Sequence, residues 1–219
     1  MRSLLRNNGL SIALFTLFIV CQIGLSVVGL RHENAELAEH GQAAIGYGSY
    51  VTSGAFLSAT MENWESEFLQ MFAYVILTAI LIQKGSAESK APDEDEEVDH
   101  DPRLARNPDR PWPVKRGGLA LRIYEHSLSI ALFLLFAASF ALHASGGARD
   151  YSEDQLLHGG QAVTTMQYIG TSRFWFESLQ NWQSEFFSVA MLIVLTIWLR
   201  QRGSPESKPV AAGHGRTGK

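Results

Sequence analysis

Two glutamates, Glu67 and Glu185, stand at the same place in two copies of one motif, Asn-Trp-x-Ser-Glu-Phe, at residues 63–68 and 181–186. Each sits inside an apolar block. Counting back from Gln83, Glu67 lies roughly 24 Å up a helix that rises 1.5 Å per residue, which is within a hydrocarbon layer about 30 Å thick. An ionisable group at that depth is costly and turns toward a bundle interior or a wet cavity. Two chemistries fit. One is a proton- or cation-linked site, or a polar ligand pocket. The other is a hydrogen-bonded network that locks helices together. At helical spacing Asn63, Glu67, Gln70, Tyr74 and Thr78 form one polar stripe, and Asn181, Glu185, Ser188 and Thr196 form its counterpart. The two stripes are expected to face each other or the remaining helices. Arg31 and Arg149 end the preceding apolar blocks, and their long stems make them the expected partners of the glutamates. Trp64, Trp182, Ser66 and Ser184 complete the motif and read as packing and helix-contact residues. No base–nucleophile pair accompanies them, so no catalytic residue is assigned and the chain does not read as an enzyme.

His40 and His158 are the second signal. Each follows an acid by four residues, Glu36 and Asp154, on a shared helix face. Acid and imidazole at that spacing can hold a metal, but each copy offers two ligands where a site needs three or four. A histidine favoured at a helix C-terminus is the simpler account. His126 and His143 are about 25 Å apart by helical rise and cannot ligate one haem together. No cofactor is expected. The chain has no Walker loop, no dinucleotide-binding glycine pattern and no basic–aromatic surface for nucleic acid. The single cysteine, Cys21, permits no intrachain disulfide and reads as a small packing residue.

The elements that carry these residues come in pairs. Residues 10–90 and 128–208 align without a gap at an offset of 118, with 29 identities in 81 positions. That excess over chance reads as a tandem duplication, one unit built twice. The apolar residues are gathered in four blocks, each long enough for a membrane-spanning helix. The predicted fold is therefore all-α: a four-transmembrane-helix bundle of two tandem, parallel helical hairpins with short exoplasmic helices. Repeat 1 covers 1–90, with spans at about 10–30 and 63–82 around an exoplasmic segment 31–62. Repeat 2 covers 119–208, with spans at about 127–146 and 181–199 around an exoplasmic segment 147–180. Between them, residues 91–118 form an acidic, proline-rich linker that reads as disordered, as does the tail 209–219. The apolar run after Arg2 and Arg6 resembles a signal peptide, yet its duplicate lies mid-chain, so the first helix is expected to remain.

Within the exoplasmic segments, Glu33–His40 and Ser152–His158 read as short helices stopped by Gly41 and Gly159, the second opened by a Ser152/Gln155 capping box. Ala137, Ala141 and Ser145 predict a close helix crossing. The Gln-Lys/Arg-Gly-Ser-x-Glu-Ser-Lys exits at 83–90 and 201–208 read as helix stops near headgroups. Of the 18 Lys and Arg residues, the N-terminus, the connection 83–122 and the chain from Arg200 onward hold fifteen, and Arg31, Arg149 and Arg173 are the other three. That asymmetry places both termini and the linker in the cytoplasm.

The doubled Asn-Trp-x-Ser-Glu-Phe, the paired exits and Tyr168–Glu177 resemble a family of bacterial multi-pass membrane proteins defined as a domain of unknown function. The resemblance covers nearly all of the chain outside linker and tail. It implies a plasma-membrane, four-span protein and supplies no catalytic residues. The expected function is that of a non-enzymatic binding, interaction or structural membrane protein. The alternative is a small oligomeric proton- or cation-linked transporter or channel using Glu67 and Glu185. Expected partners are the lipid bilayer and a second copy or another membrane protein, with no nucleic acid.

Overall fold

The computed structural model describes residues 2–92, 94, 96–105 and 107–218. Asp93, Asp95 and Arg106 of the linker and Lys219 of the tail lie outside the described residues. Among the described residues there are eight α-helices and no strand: α1 (Arg2–Glu39), α2 (Tyr47–Val51), α3 (Gly54–Ile80), α4 (Trp112–Arg116), α5 (Gly118–Glu125), α6 (Ser127–Leu157), α7 (Thr165–Ile169) and α8 (Ser172–Trp198). Two short 3₁₀ turns, Glu97–Asp99 and Pro102–Leu104, lie in the linker.

α1 and α6 are built from Leu, Ile, Phe, Val and Ala with no proline, and they are apolar on every side rather than along one stripe. Residues Leu5–Glu39 and Ser127–Leu157 are long and apolar enough to cross a membrane. Only 6% and 22% of their most apolar stretches are buried. Asn8 (φ −129°, ψ 16°) breaks the helical backbone within α1, and His126 (φ −112°, ψ 11°) stands just before α6.

The helix ends explain two departures from the sequence reading. Glu33–His40 and Ser152–His158 are not separate helices; Glu33–Glu39 and Ser152–Leu157 are the last turns of α1 and α6. Nothing between Leu30 and Glu33 breaks a helix, so the first span simply continues. Gly41 (φ +69°) and Gly159 (φ +78°) stop the two helices. Gln42 N–H reaches Leu37 O at 2.8 Å and Gly160 N–H reaches Gln155 O at 2.7 Å, the paired closure of a glycine-stopped helix. Ser152 is thus mid-helix and caps nothing. Its Oγ accepts from Val163 N–H at 2.9 Å, just as Asn34 Oδ1 accepts from Ile45 N–H at 2.7 Å. The capping box lies later, at Thr164 and Gln167, opening α7.

The chain divides into two compact units, Met1–Met61 with Ala141–Trp175, and Glu62–Phe140 with Phe176–Lys219. Each draws on both halves of the sequence. In the first unit, backbones approach so closely that side chains are excluded. A Cβ on Gly29 would lie 2.0 Å from Tyr50 Oη, and one on Gly147 would lie 2.4 Å from Tyr168 Cε1. The α3–α6 crossing is centred on Gly54 and Gly146, where a Cβ on Gly54 would meet Gly146 O at 2.6 Å. This replaces the crossing expected at Ala137, Ala141 and Ser145, since only glycine leaves room for backbone against backbone; Ala141 is exposed. Tyr168 and Phe174, both fully enclosed, pack edge to face at 5.5 Å, and His143 stacks on Phe174 at 5.0 Å.

In the second unit α3 and α8 run alongside the aromatic face of α6. Phe133 contacts Phe72 at 5.5 Å, and Phe136 contacts Trp182 at 6.5 Å between ring centres. After both helices the chain makes the same turn. Gln83 N–H reaches Ser89 Oγ at 2.8 Å and Gln201 N–H reaches Ser207 Oγ at 2.9 Å. Gly85 and Gly203 sit at φ +87° and +86°. The linker is not wholly irregular either: α4 ends at Gly117 (φ +70°), and the Arg116 guanidinium lies 5.0 Å from the centre of the Trp112 ring.

Candidate functional site

The polar groups of the second unit converge on the seam between α3 and α8. Three acids of α3 supply one side. Glu62 Oε1 accepts a short hydrogen bond from Asn181 Nδ2, and Gln180 Nε2 reaches it at 3.5 Å. Glu65 has no exposed surface, and its Oε1 accepts from Trp182 Nε1 at 3.0 Å. Glu67 and Glu185 bring their carboxyls within hydrogen-bond reach of each other. Glu67 is exposed and Glu185 half-buried.

Of the sequence-derived residues, the seam gathers Glu67, Glu185, Asn181 and Trp182. Asn63 and Ser184 are exposed. Ser66 is buried but bonds its own helix, Oγ to Asn63 O at 2.8 Å, and Ser184 does the same to Asn181 O at 2.8 Å. Trp64 packs edge to face on Phe68 at 6.3 Å. Arg31 and Arg149 are exposed and make no ion pair among the described residues. Arg173 instead pairs with Asp150 at 2.8 Å and Asp154 at 3.3 Å, neither of them a seam glutamate. The sequence reading missed Glu62 and Glu65. The available signal was their spacing of three residues, which puts both on one face of α3.

The metal candidates lie in the first unit, around a cleft of about 240 Å³ lined by Glu33, Glu36, His40, Asp150, Asp154 and Arg173. His40 and His158 meet edge to face at 5.4 Å. Their Nδ1 atoms are turned to backbone oxygens, Glu36 O and Asp154 O, both at 2.9 Å, as a helix end favours. Glu33 lies past the apolar stretch Leu10–Leu30. Burial, with Asp150, Glu36 and Glu153 close by, holds its pKa above the ordinary carboxylate value.

The second unit also carries a groove of about 310 Å³, floored by Tyr74, Thr78 and Glu88 and walled by Phe186, Val189 and Ile193. Tyr74 Oη donates to Glu88 Oε2 at 2.8 Å, so an apolar trough closes on a polar end.

The chain matches, over residues 1–219, the model of a family described as a domain of unknown function (DUF6766), and it belongs to that family. No curated protein and no solved structure matches it.

Proposed function

We propose that this member of the family is a four-span bacterial plasma-membrane protein, two tandem hairpins of the same orientation, with both termini and the linker cytoplasmic. The observation that carries the membrane reading is the surface of α1. Leu10 is 75% exposed, Phe15 68% and Val28 64%. In water each such side chain forfeits about 1.5–3 kcal/mol of burial; in lipid it forfeits nothing. α3 and α8 are less apolar, but Glu62 and Glu65 are turned to donors on α8, the arrangement that makes a polar group tolerable in a bilayer. The duplication has support in the helix limits. Shifted by 118, Tyr47–Val51 becomes Thr165–Ile169 and Gly54–Ile80 becomes Ser172–Trp198.

The seam serves binding or interaction rather than catalysis. Its donors and acceptors satisfy one another, and the neighbouring groove, apolar with one polar end, suits a lipid or small amphiphile. A second reading, a proton- or cation-linked transporter, rests on the facing carboxyls of Glu67 and Glu185. Proton and ion flux in liposomes separates the two. Flux in the wild type that Glu67→Gln/Glu185→Gln abolishes establishes transport. Absence of flux in both, with a lower melting temperature in the double variant, establishes the locking network.

A further inference from the structure

Lys208 is 1% exposed and makes no ion pair among the described residues. Its Nζ instead donates to backbone oxygens: Gly85 O, Arg216 O at 2.9 Å, His214 O at 3.0 Å and Ile197 O at 3.3 Å. An ammonium has three donors, so this cage leaves none unsatisfied. The oxygens come from three stretches of chain: the turn after α3, the end of α8 and segment 209–218. Further bonds close the same junction. Gly85 N–H reaches Thr217 Oγ1 at 2.9 Å, Gly218 N–H reaches Ser86 O at 2.9 Å, and Arg200 Nη2 reaches Ala212 O at 3.2 Å.

The equivalent turns are treated differently. Gly85, Ser86 and Ala87 are buried, whereas Gly203 and Pro205 are open. Lys90, which stands 118 residues before Lys208, points outward to Asp99 at 2.7 Å. Burial, with Arg200 and Arg216 nearby, lowers the Lys208 pKa from its usual value. A charge taken out of water is tolerable only while its hydrogen bonds are complete. Releasing segment 209–218 takes away two of the four oxygens at once, His214 O and Arg216 O, and strands a donor.

We propose that segment 209–218 is a latch, pinned on Lys208, that ties the turn after α3 to the end of α8 and opens in a single step. Closed, it covers one Gly-Ser-x-Glu-Ser-Lys turn and leaves the other free. Open, it uncovers Lys208 and the first turn together.

The test uses the full chain in lipid nanodiscs, with amide hydrogen exchange and acetylation by a water-soluble amine reagent read by mass spectrometry. In the wild type, Lys208 is expected to react at least about tenfold more slowly than exposed Lys84, with the Gly85 and Gly218 amides protected. Lys208→Met should speed exchange at both amides by about tenfold or more while leaving Gly9–Glu39 unchanged. Thr217→Val keeps the lysine and, because the latch opens as one unit, should speed exchange at both Gly85 and Gly218, which decides the matter if Lys208→Met does not fold; faster exchange at Gly85 alone overturns the single-step latch. Lys208 reacting as fast as Lys84 in the wild type overturns the latch. So does wild-type protection of Gly85 in either variant.

Discussion

The indole Nε1 of Trp182 donates to Glu65 Oε1 at 3.0 Å, and Glu65 has no exposed surface. An acid shielded from water depends on such donors. Trp182→Phe keeps an aromatic ring against Phe136 but removes the donor. It should destabilise the protein by about 1–3 kcal/mol, read as a lower melting temperature in detergent micelles. Glu65→Gln, which keeps an acceptor oxygen, should be milder. Equal melting of wild type and Trp182→Phe would mean that the bond contributes nothing.

The two glycine–tyrosine contacts predict different rescue behaviour. A methyl on Gly29 collides first with Tyr50 Oη, at 2.0 Å, and one on Gly147 first with the Tyr168 ring carbon Cε1, at 2.4 Å. Gly29→Ala and Gly147→Ala should each cost about 1–3 kcal/mol from overpacking. Adding Tyr50→Phe should restore part of the first loss, since it removes the 2.0 Å contact and leaves the ring carbon Cζ at 2.8 Å. Tyr168→Phe should not restore the second, because the ring itself is in the way. Melting temperatures of the four variants decide this.

The crowded carboxyl of Glu33 gives a pH dependence of definite sign. Its folded pKa lies above the reference value of 4.5, so folding favours the protonated form. Its contribution to stability therefore grows as pH falls through the folded pKa, levels off near 4.5, and is lost again as pH rises. Glu33→Gln should raise the melting temperature at neutral pH and shrink the gain that wild type shows on mild acidification. A variant less stable than wild type at pH 7 would contradict this.

Topology is open to direct labelling. In a Cys21→Ser background, Gln42→Cys and Gln161→Cys should react with an impermeant maleimide added to intact cells, whereas Val98→Cys should react only after permeabilisation. Labelling of position 98 from outside would refute the cytoplasmic placement of the linker.

The helices were legible because their signals are local: apolar blocks of span length, and glycines at positions 41 and 159 that stop them. The limits of α1 and α6 were not, because no residue beyond Leu30 or Ala148 forbids helix and the chain goes on winding into polar sequence. The choice between Glu65 and Glu67 was misleading for a geometric reason. Two residues apart on a helix means about 200° of rotation, so only one of them can turn inward. Comparison of the two copies favours Glu67, retained as Glu185, over Glu65, which becomes Gln183. Burial goes the other way: Glu65 is enclosed and Glu67 exposed. The Lys208 cage was invisible in sequence because its oxygens all belong to the backbone, which any residue supplies.

From Gly9 to Glu39, α1 is one unbroken helix, roughly 46 Å at 1.5 Å per residue, well beyond the thickness of a hydrocarbon layer. A rod of that length has no joint where lipid gives way to water. Were α1 to cross a bilayer, as proposed, any lean of its lower part would carry Glu33 and His40 with it, because no break in the helix lies between them and Gly9.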